Sequence, residues 1–388
     1  MDKALLDIPA SPALQQPHWP NVAEVEAVRA DLRTMPGLVD ADAVWTLRAV
    51  LTGVASGEAL VVQAGDCAED PAECAAVHVA RKVALLDALA GVLEMKSHKQ
   101  VVRVGRIAGQ FAKPRSTPVE LVGDVQLPVY RGHMVNSPEP TLHARMPDPY
   151  RLLSGYYAAR KVVSNLGWNN PEILRIEPPV WISHDALLLD YEISMLRRDA
   201  TAAPMLASTH WPWIGERTRQ VDGPHVALLA DVINPVACKV GPKLTVEELI
   251  GLCDRLDPDR VPGRLTLIAR MGADMVAEKL PPLVSAVHTV GHPVIWLCDP
   301  MHGNTVSTPD GRKTRFVETI VREIQQFIVA VEAAGGVAGG LHLETTPAEV
   351  TECVSPGGDV NRVGDMYTTF CDPRLNSRQA IEVVAAWR

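Results

Sequence analysis

The stretch Pro293-Val-Ile-Trp-Leu-Cys-Asp-Pro-Met-His-Gly-Asn-Thr305 decides how the chain is read. It is a short apolar run followed at once by a polar tip of Asp299, His302, Asn304 and Thr305. The run is long enough for a buried strand and too short for a typical helix. A buried strand that ends in chemistry-capable groups points to the catalytic end of an α/β barrel.

Working outward, the pattern repeats. Strand-like runs lie at 59–64, 101–104, 179–184, 204–209, 235–240, 264–270 and 340–344. They are apolar without clear alternation, as strands buried on both faces are. Helix signals separate most of them. Asp70-Pro71-Ala-Glu73 reads as a helix start, with one apolar stripe through Ala76, Val79, Val83, Leu86, Ala90 and Leu93. Thr245-Val-Glu-Glu248 is a capping box, and an amphipathic helix over 315–334 stops at Gly335-Gly336. Further helices are expected at 148–166, near 187–196, at 225–233 and at 376–387, and Pro281-Pro282 is expected to interrupt another. The fold class is therefore α/β, a (β/α)8 TIM barrel in a single domain of residues 1–388. The barrel covers 59–388, and 1–58 forms a short N-terminal helical extension, its helices at 21–35 and 40–54 packed on the outside. The loop 109–147 is proline-rich with little pattern of its own, which suggests a functional segment.

With 388 residues, 47% apolar and 21% charged, there is material for a large core. A formal charge of 37 − 46 = −9, without a basic run, argues against nucleic acid and anionic membranes as partners. No signal peptide is visible in Met1 to Pro20, and no apolar stretch approaches the roughly 20 residues that span a bilayer. Seven scattered cysteines, Cys238 and Cys298 among them in apolar runs, suggest a reducing, cytoplasmic setting without disulfides.

Two sets of residues carry chemistry. Cys67, His302 and Glu344 follow the first, seventh and eighth strands, which become neighbours when the barrel closes, and Asp372 from the tail could join them. A thiolate, an imidazole and two carboxylates suit Mn, Co, Fe or Zn. No short metal motif supports this set, so a core cysteine and an ordinary loop histidine stay open as the alternative. Arg106, Lys239 and Arg270 are charges at the ends of apolar strands, and Arg217, Lys113 and Arg115 add to them. Such charges are costly unless paired or facing an anionic ligand. Pairing with carboxylates such as Glu216 is one account; a shared, multiply anionic substrate is the one the whole set favours. The 109–147 loop adds Ser116, Arg131, His133 and Asn136. The residues alone thus reach a metal-assisted barrel enzyme acting on small phosphorylated substrates.

Several long motifs then carry a resemblance. They are Gly65-Asp-Cys-Ala-Glu69, Arg103-Val-Gly-Arg-Ile-Ala-Gly-Gln-Phe-Ala-Lys-Pro-Arg-Ser116, Trp213-Ile-Gly-Glu-Arg-Thr-Arg219, Asn234-Pro-Val-Ala-Cys-Lys-Val-Gly-Pro242, Asp299-Pro-Met-His-Gly-Asn-Thr305, His342-Leu-Glu-Thr-Thr346 and Cys371-Asp-Pro-Arg-Leu-Asn376. With them the chain resembles the type II (plant-like) 3-deoxy-D-arabino-heptulosonate 7-phosphate (DAHP) synthases. The resemblance implies a transferase that condenses phosphoenolpyruvate with erythrose 4-phosphate, the first step of the shikimate pathway. It implies metal ligands Cys67, His302, Glu344 and Asp372, with Mn favoured. Arg106, Lys239 and Glu216 would be catalytic. Phosphoenolpyruvate would lie on Arg106, Lys239, Arg270 and the Glu216-Arg217 turn. The aldehyde's phosphate would lie near Lys113, Arg115, Ser116 and Arg217, and Asn136 and Asp299 would also touch substrate. A homo-oligomer, dimer or tetramer, and binding to chorismate mutase are further implications.

The chain is short for this family and looks most like its compact members in phenazine and other secondary-metabolite pathways, which would escape aromatic amino-acid feedback. One departure stands out. Where the family usually reads Arg-Gly-Asp, this chain has Tyr130-Arg-Gly-His-Met-Val-Asn136. His133 is therefore either a tolerated loop change or a sign of another acceptor, such as an amino-substituted aldehyde phosphate. A purely regulatory partner of chorismate mutase is the remaining alternative.

Overall fold

The structure is a computed structural model that describes residues 12–169 and 179–388. Eight parallel strands close into a barrel: β1 Ala59–Gly65, β2 Gln100–Arg106, β3 Trp181–Asp185, β4 Trp211–Ile214, β5 Val236–Val240, β6 Leu265–Ala269, β7 Ile295–Cys298 and β8 Val337–Glu344. Around the ring each strand neighbours the next in sequence, and β1 pairs with β8 to complete it. Pairing of β1 with β2 runs in register from Ala59 opposite Gln100 to Gly65 opposite Arg106. The expected (β/α)8 architecture is present.

One expected strand is misplaced. Residues 204–209 do not enter the barrel: Pro204–Leu206 pairs antiparallel with Leu196–Arg198 in a small hairpin. The Asn234 side chain holds this corner, accepting from Leu206 N and donating to Leu206 O and Thr209 O. The barrel strand is the next run, because Trp211 and Trp213 fill the barrel interior and small residues at 207–209 would not.

That interior is packed from both sides of the chain's start. Val61, Val102, Val104, Trp181, Trp211, Trp213, Ile268, Ile295 and Leu297 meet Ala43, Leu47, Leu51 and Val54 of the helix Ala41–Ala55. The second helix of the N-terminal extension is therefore not on the outside. It plugs the N-terminal end of the barrel. Its stripe at 43, 47, 51 and 54 is the reason, since that face is buried only there. The first helix, Val22–Thr34, does pack outside, on Tyr150–Asn165 and Leu189–Ser194.

Three smaller expectations change. Asp70 caps a short 3-10 turn, Pro71–Cys74, and the α-helix Ala76–Ser97 begins after it. Pro281 and Pro282 do not interrupt the helix Val276–Val290, whose Leu280, Leu283, Val284 and Val287 are held against the core. The 109–147 loop is structured: it contains an antiparallel hairpin, Val119–Val122 with Val125–Pro128, and a helical turn, Leu142–Arg145. The remaining helices lie close to where they were expected. All seven cysteines are free, as expected. Among the described residues no helix is long and apolar enough to cross a membrane.

Candidate active site

Strand alternation builds the site. Val104, Ala237, Ile268 and Leu297 point into the barrel core, and Ser183 and His342 point inward through their bonds to Gln63. Two residues further along the same strands come Arg106, Lys239, Arg270, Asp299, Asp185 and Glu344. The last inward position of six strands is thus charged, and together they ring the C-terminal mouth. Trp213 floors the ring: the Arg106 guanidinium lies 5.4 Å and the Lys239 ammonium 5.8 Å from its ring centroid.

Three of the four expected metal ligands are brought together. One donor atom each from Cys67, Glu344 and Asp372 lies within 4.8 Å of the others. His302 stands beside them, its Nε2 3.6 Å from Glu344 Oε1. The other ring nitrogen, Nδ1, donates to Asp299 Oδ2 at 2.8 Å. That bond fixes the tautomer and leaves Nε2 as a free lone pair facing the cluster. Burial pushes the His302 imidazole down to about 4, so it is neutral, as a ligand must be. Burial works against charge on Glu344 as well, yet the cations Lys113, Arg315 and Arg106 hold it well below the usual carboxylate range. These residues fit a divalent metal: a buried thiol, a neutral imidazole with an oriented lone pair, and two ionised carboxylates converge.

Asp299 is a hub. Its oxygens accept from Lys239 Nζ at 2.8 Å, from His302 Nδ1 and from the backbone N–H groups of Met301 and His302. Burial disfavours its charge, but His302 and Lys239 hold it well below the ordinary range. It is fully buried and orients other groups. Arg106 donates to Glu344 Oε1 at 3.1 Å and to His342 Nε2 at 2.9 Å; His342 passes its own Nδ1–H to Gln63. For Arg106 and Lys239, then, pairing with carboxylates is part of the account.

It is not the account for Arg217 and Arg270. Neither makes a side-chain hydrogen bond or ion pair among the described residues. Both line a cavity of about 300 Å³ with Lys113, Arg115, His302 and Asp372. Ser116 and Lys313 lie on its rim, and Lys313 donates to Asp372 Oδ1 at 2.8 Å. The mouth thus holds unpaired guanidinium groups next to the metal-ligand cluster. Glu216 closes the same side: its Oε1 pairs with Arg219 at 2.8 Å, and its carboxyl lies against Gly241, where a Cβ would sit 3.0 Å away.

Two expected site residues are elsewhere. Asn136 does not face the cavity; its Oδ1 accepts from Arg131 N and its Nδ2 donates to Val129 O and Arg145 O, so the amide staples the loop. His133 is also turned away. Tyr130 Oη lies 2.6 Å from its Nδ1, and its ring packs edge-on against Phe370 at 4.9 Å. Two buried charged residues beside the site escaped sequence reading. Arg315 is fully buried, with its Nη1 on Glu344 Oε2 at 2.9 Å and its Nε on Thr305 Oγ1 at 3.0 Å. Asp185 is treated below. Arg315 reads as the first residue of an amphipathic helix, while Asp185 directly follows the 179–184 run and is passed over because it is an acid in a ring otherwise read for its cations.

The profile described as the class-II DAHP synthetase family matches residues 6–170 and 167–386. The chain belongs to that family. It is an enzyme of the 3-deoxy-7-phosphoheptulonate synthase type, as the resemblance implied. A Pseudomonas fluorescens protein named "Probable phospho-2-dehydro-3-deoxyheptonate aldolase" is 56% identical over 378 residues, covering 97% of this chain and 94% of its own. The phospho-2-dehydro-3-deoxyheptonate aldolase of Streptomyces coelicolor is 40% identical over 422 aligned positions, with 96% and 94% covered. That of Mycolicibacterium smegmatis is 38% identical over 439, with 99% and 92% covered. These two alignments are longer than this family member's 388 residues, so both relatives carry segments it lacks. A solved phospho-2-dehydro-3-deoxyheptonate aldolase from Francisella tularensis shares the fold, with TM-score 0.54 and 12% identity over 98% of this chain and 99% of that one.

Proposed function

We propose that the chain condenses phosphoenolpyruvate with erythrose 4-phosphate to give DAHP and phosphate. A divalent metal, Mn favoured, would be held by Cys67, His302, Glu344 and Asp372. The observation that carries this reading is the cavity in which unpaired Arg217 and Arg270 lie next to His302 and Asp372. A phosphorylated aldehyde spans such a site with its phosphate on Arg217, Lys113, Arg115 and Ser116 and its carbonyl at the ligand cluster, while Arg270 is left to phosphoenolpyruvate. Bound there, the metal supplies Lewis-acid polarisation of that carbonyl. Arg106 and Lys239, seated over Trp213, receive the phosphate and carboxylate of phosphoenolpyruvate. Asp299 holds Lys239 and His302 in one geometry, so the cations around the developing negative charge need no rearrangement. C3 of phosphoenolpyruvate then attacks the aldehyde carbon, water adds at C2, and phosphate leaves.

The test is consumption of phosphoenolpyruvate, followed by its ultraviolet absorbance, with erythrose 4-phosphate and Mn²⁺ against a chelator-treated control. Turnover that needs metal is expected. A folded, metal-loaded protein that leaves phosphoenolpyruvate untouched would end the reading.

The supply of precursor to secondary metabolism is a finer part of the same proposal. It is supported by the chain's compactness against its longer relatives. The expected result is turnover unchanged by micromolar Phe, Tyr or Trp; strong inhibition by any of them would overturn it.

A further inference from the structure

The ring of charged strand ends contains one member without a task. Arg106, Lys239, Asp299 and Glu344 are bonded to one another or to neighbours, and Arg270 faces the anion cavity. Asp185 is left. It ends β3, two residues beyond Ser183 and four beyond Trp181, both of which point into the barrel. Its backbone N–H is pinned by Gln110 Oε1 at 3.0 Å, and its residue is 9% exposed. Its Oδ1 is buried and has no hydrogen-bond partner. Among the described residues no cation lies within ion-pair distance of it.

The position has been made for a carboxyl. Gly215 follows β4, the next strand, and a Cβ there would stand 3.0 Å from Asp185 Oδ2. A buried carboxylate oxygen without a partner is a costly feature that asks for a ligand, a water or a proton. Both substrates of the proposed reaction are anions, so a carboxylate in this ring cannot serve their charged groups. What remains for it is a proton donor; the aldehyde's hydroxyls and the water that adds at C2 are both donors, and of these only the water has to give a proton up.

We propose that Asp185 is a further catalytic residue, the base that holds this water and takes its proton. The inference rests on the reading of the site given above. The bonds balance as follows. The C2–C3 π electrons of phosphoenolpyruvate form the bond to the aldehyde carbon, leaving C2 electron-poor. The water oxygen bonds to C2 and its proton passes to Asp185. The C2–O bond to phosphate then breaks with its electron pair, and the remaining C2 hydroxyl loses its proton to become the ketone. The alkoxide formed on the aldehyde oxygen takes the proton that the C2 hydroxyl gives up, and the proton held by Asp185 leaves with the departing phosphate. Glu216 Oε2 is likewise buried without a partner, but Arg219 holds the other oxygen of that carboxylate at 2.8 Å, whereas neither oxygen of Asp185 is held among the described residues, so Asp185 is the better suited.

The electrostatics agree. Burial pushes the Asp185 carboxyl up to about 6, and Lys239 from β5 and Lys113 from the loop after β2 pull against it. His184 on the same strand also lowers it, and Glu192 on the adjacent helix raises it. A group poised there exchanges protons near neutral pH, unlike Asp299 across the ring.

The test compares wild-type enzyme with Asp185→Asn and Asp185→Glu, all metal-loaded. Asp185→Asn is expected to lower kcat by about 100-fold or more, with both KM values within about threefold and metal content unchanged. Asp185→Glu, which keeps a carboxylate, is expected to recover most of that loss. The wild-type rate should fall as pH drops through about 6, where the base protonates, and the residual rate of Asp185→Asn should lack that limb. An Asp185→Asn enzyme that keeps more than about a tenth of kcat overturns the proposal, as does a loss of activity shared with metal content or phosphoenolpyruvate binding. If the wild type itself shows no turnover, the reading of the reaction fails instead. The wild-type minus Asp185→Asn infrared difference spectrum then judges the placement: a carboxyl band indifferent to added phosphoenolpyruvate overturns it.

Discussion

Glu323 lies on the helix Val317–Ala333, behind the ring, and is 1% exposed. Its carboxyl accepts from Gly272 N at 2.9 Å and from the Asn304 amide, which also accepts from Ala273 N and donates to Pro300 O. It thereby braces the two loops that bear Arg270 and His302. Those loops touch through two glycines of left-handed conformation, Gly272 at φ +83° and Gly303 at φ +97°. A Cβ on Gly303 would stand 2.9 Å from Gly272 N, so no other residue fits. Burial pushes the Glu323 carboxyl up from 4.5 to about 8. The folded state therefore binds this proton more tightly than the unfolded chain. The stability this adds is complete below about 4.5 and is lost as pH rises through about 8. Glu323→Gln should remove that slope. The stability of wild type relative to the variant, from chemical unfolding, should decline steadily between pH 5 and 8, and a constant difference would refute the assignment.

At the scale of elements, the C-terminal tail is the part most tightly tied to the site. Glu352 accepts from the backbone N–H groups of Thr368, Thr369 and Arg374, and from the Arg374 guanidinium. Arg374 in turn donates to Asp66, at the end of β1, at 2.7 Å. The segment with Asp372 is thus fastened to the strand end with Cys67. Phe370, held by His133 and Tyr130, adds an apolar clasp. Glu352→Gln should weaken metal binding by about 10–100-fold while the protein stays folded. Competition with a chromogenic chelator measures this, and an unaltered affinity would show the clamp to be irrelevant. Elements also mark the limit of sequence reading. Arg106, Lys239, Arg270 and Glu344 were legible because a charge ending an apolar strand stands out. Arg315, Glu323, Glu352 and Arg374 were not, because a charge on an amphipathic helix or a loop reads as solvated surface until the fold buries it. The fourth strand was misassigned because apolarity alone does not separate two consecutive runs; the volume of Trp211 and Trp213 decides, and volume acts only in the closed barrel.

The whole molecule is a barrel with unlike ends. One is polar and open to ligands. The other is sealed by the helix Ala41–Ala55, in which Leu47, Leu51 and Val54 are fully buried. Leu51→Ala should cost about 2–5 kcal/mol of stability, since it leaves a cavity among large side chains. Denaturant unfolding measures this, and both KM values should stay at wild-type levels. A loss below 1 kcal/mol would mean that the seal contributes little.

The candidate metal-ligand cluster joins distant parts of the chain: Cys67 and Asp372 meet 3.5 Å apart across 305 positions of sequence. During synthesis the barrel cannot close until β8 has emerged, and the cluster cannot assemble until the tail has followed it. Such long-range closure is slow, and it leaves apolar strands waiting. Competence therefore waits for the segment that carries Asp372. A nascent or prematurely terminated chain that stops short of it lacks one member of the cluster.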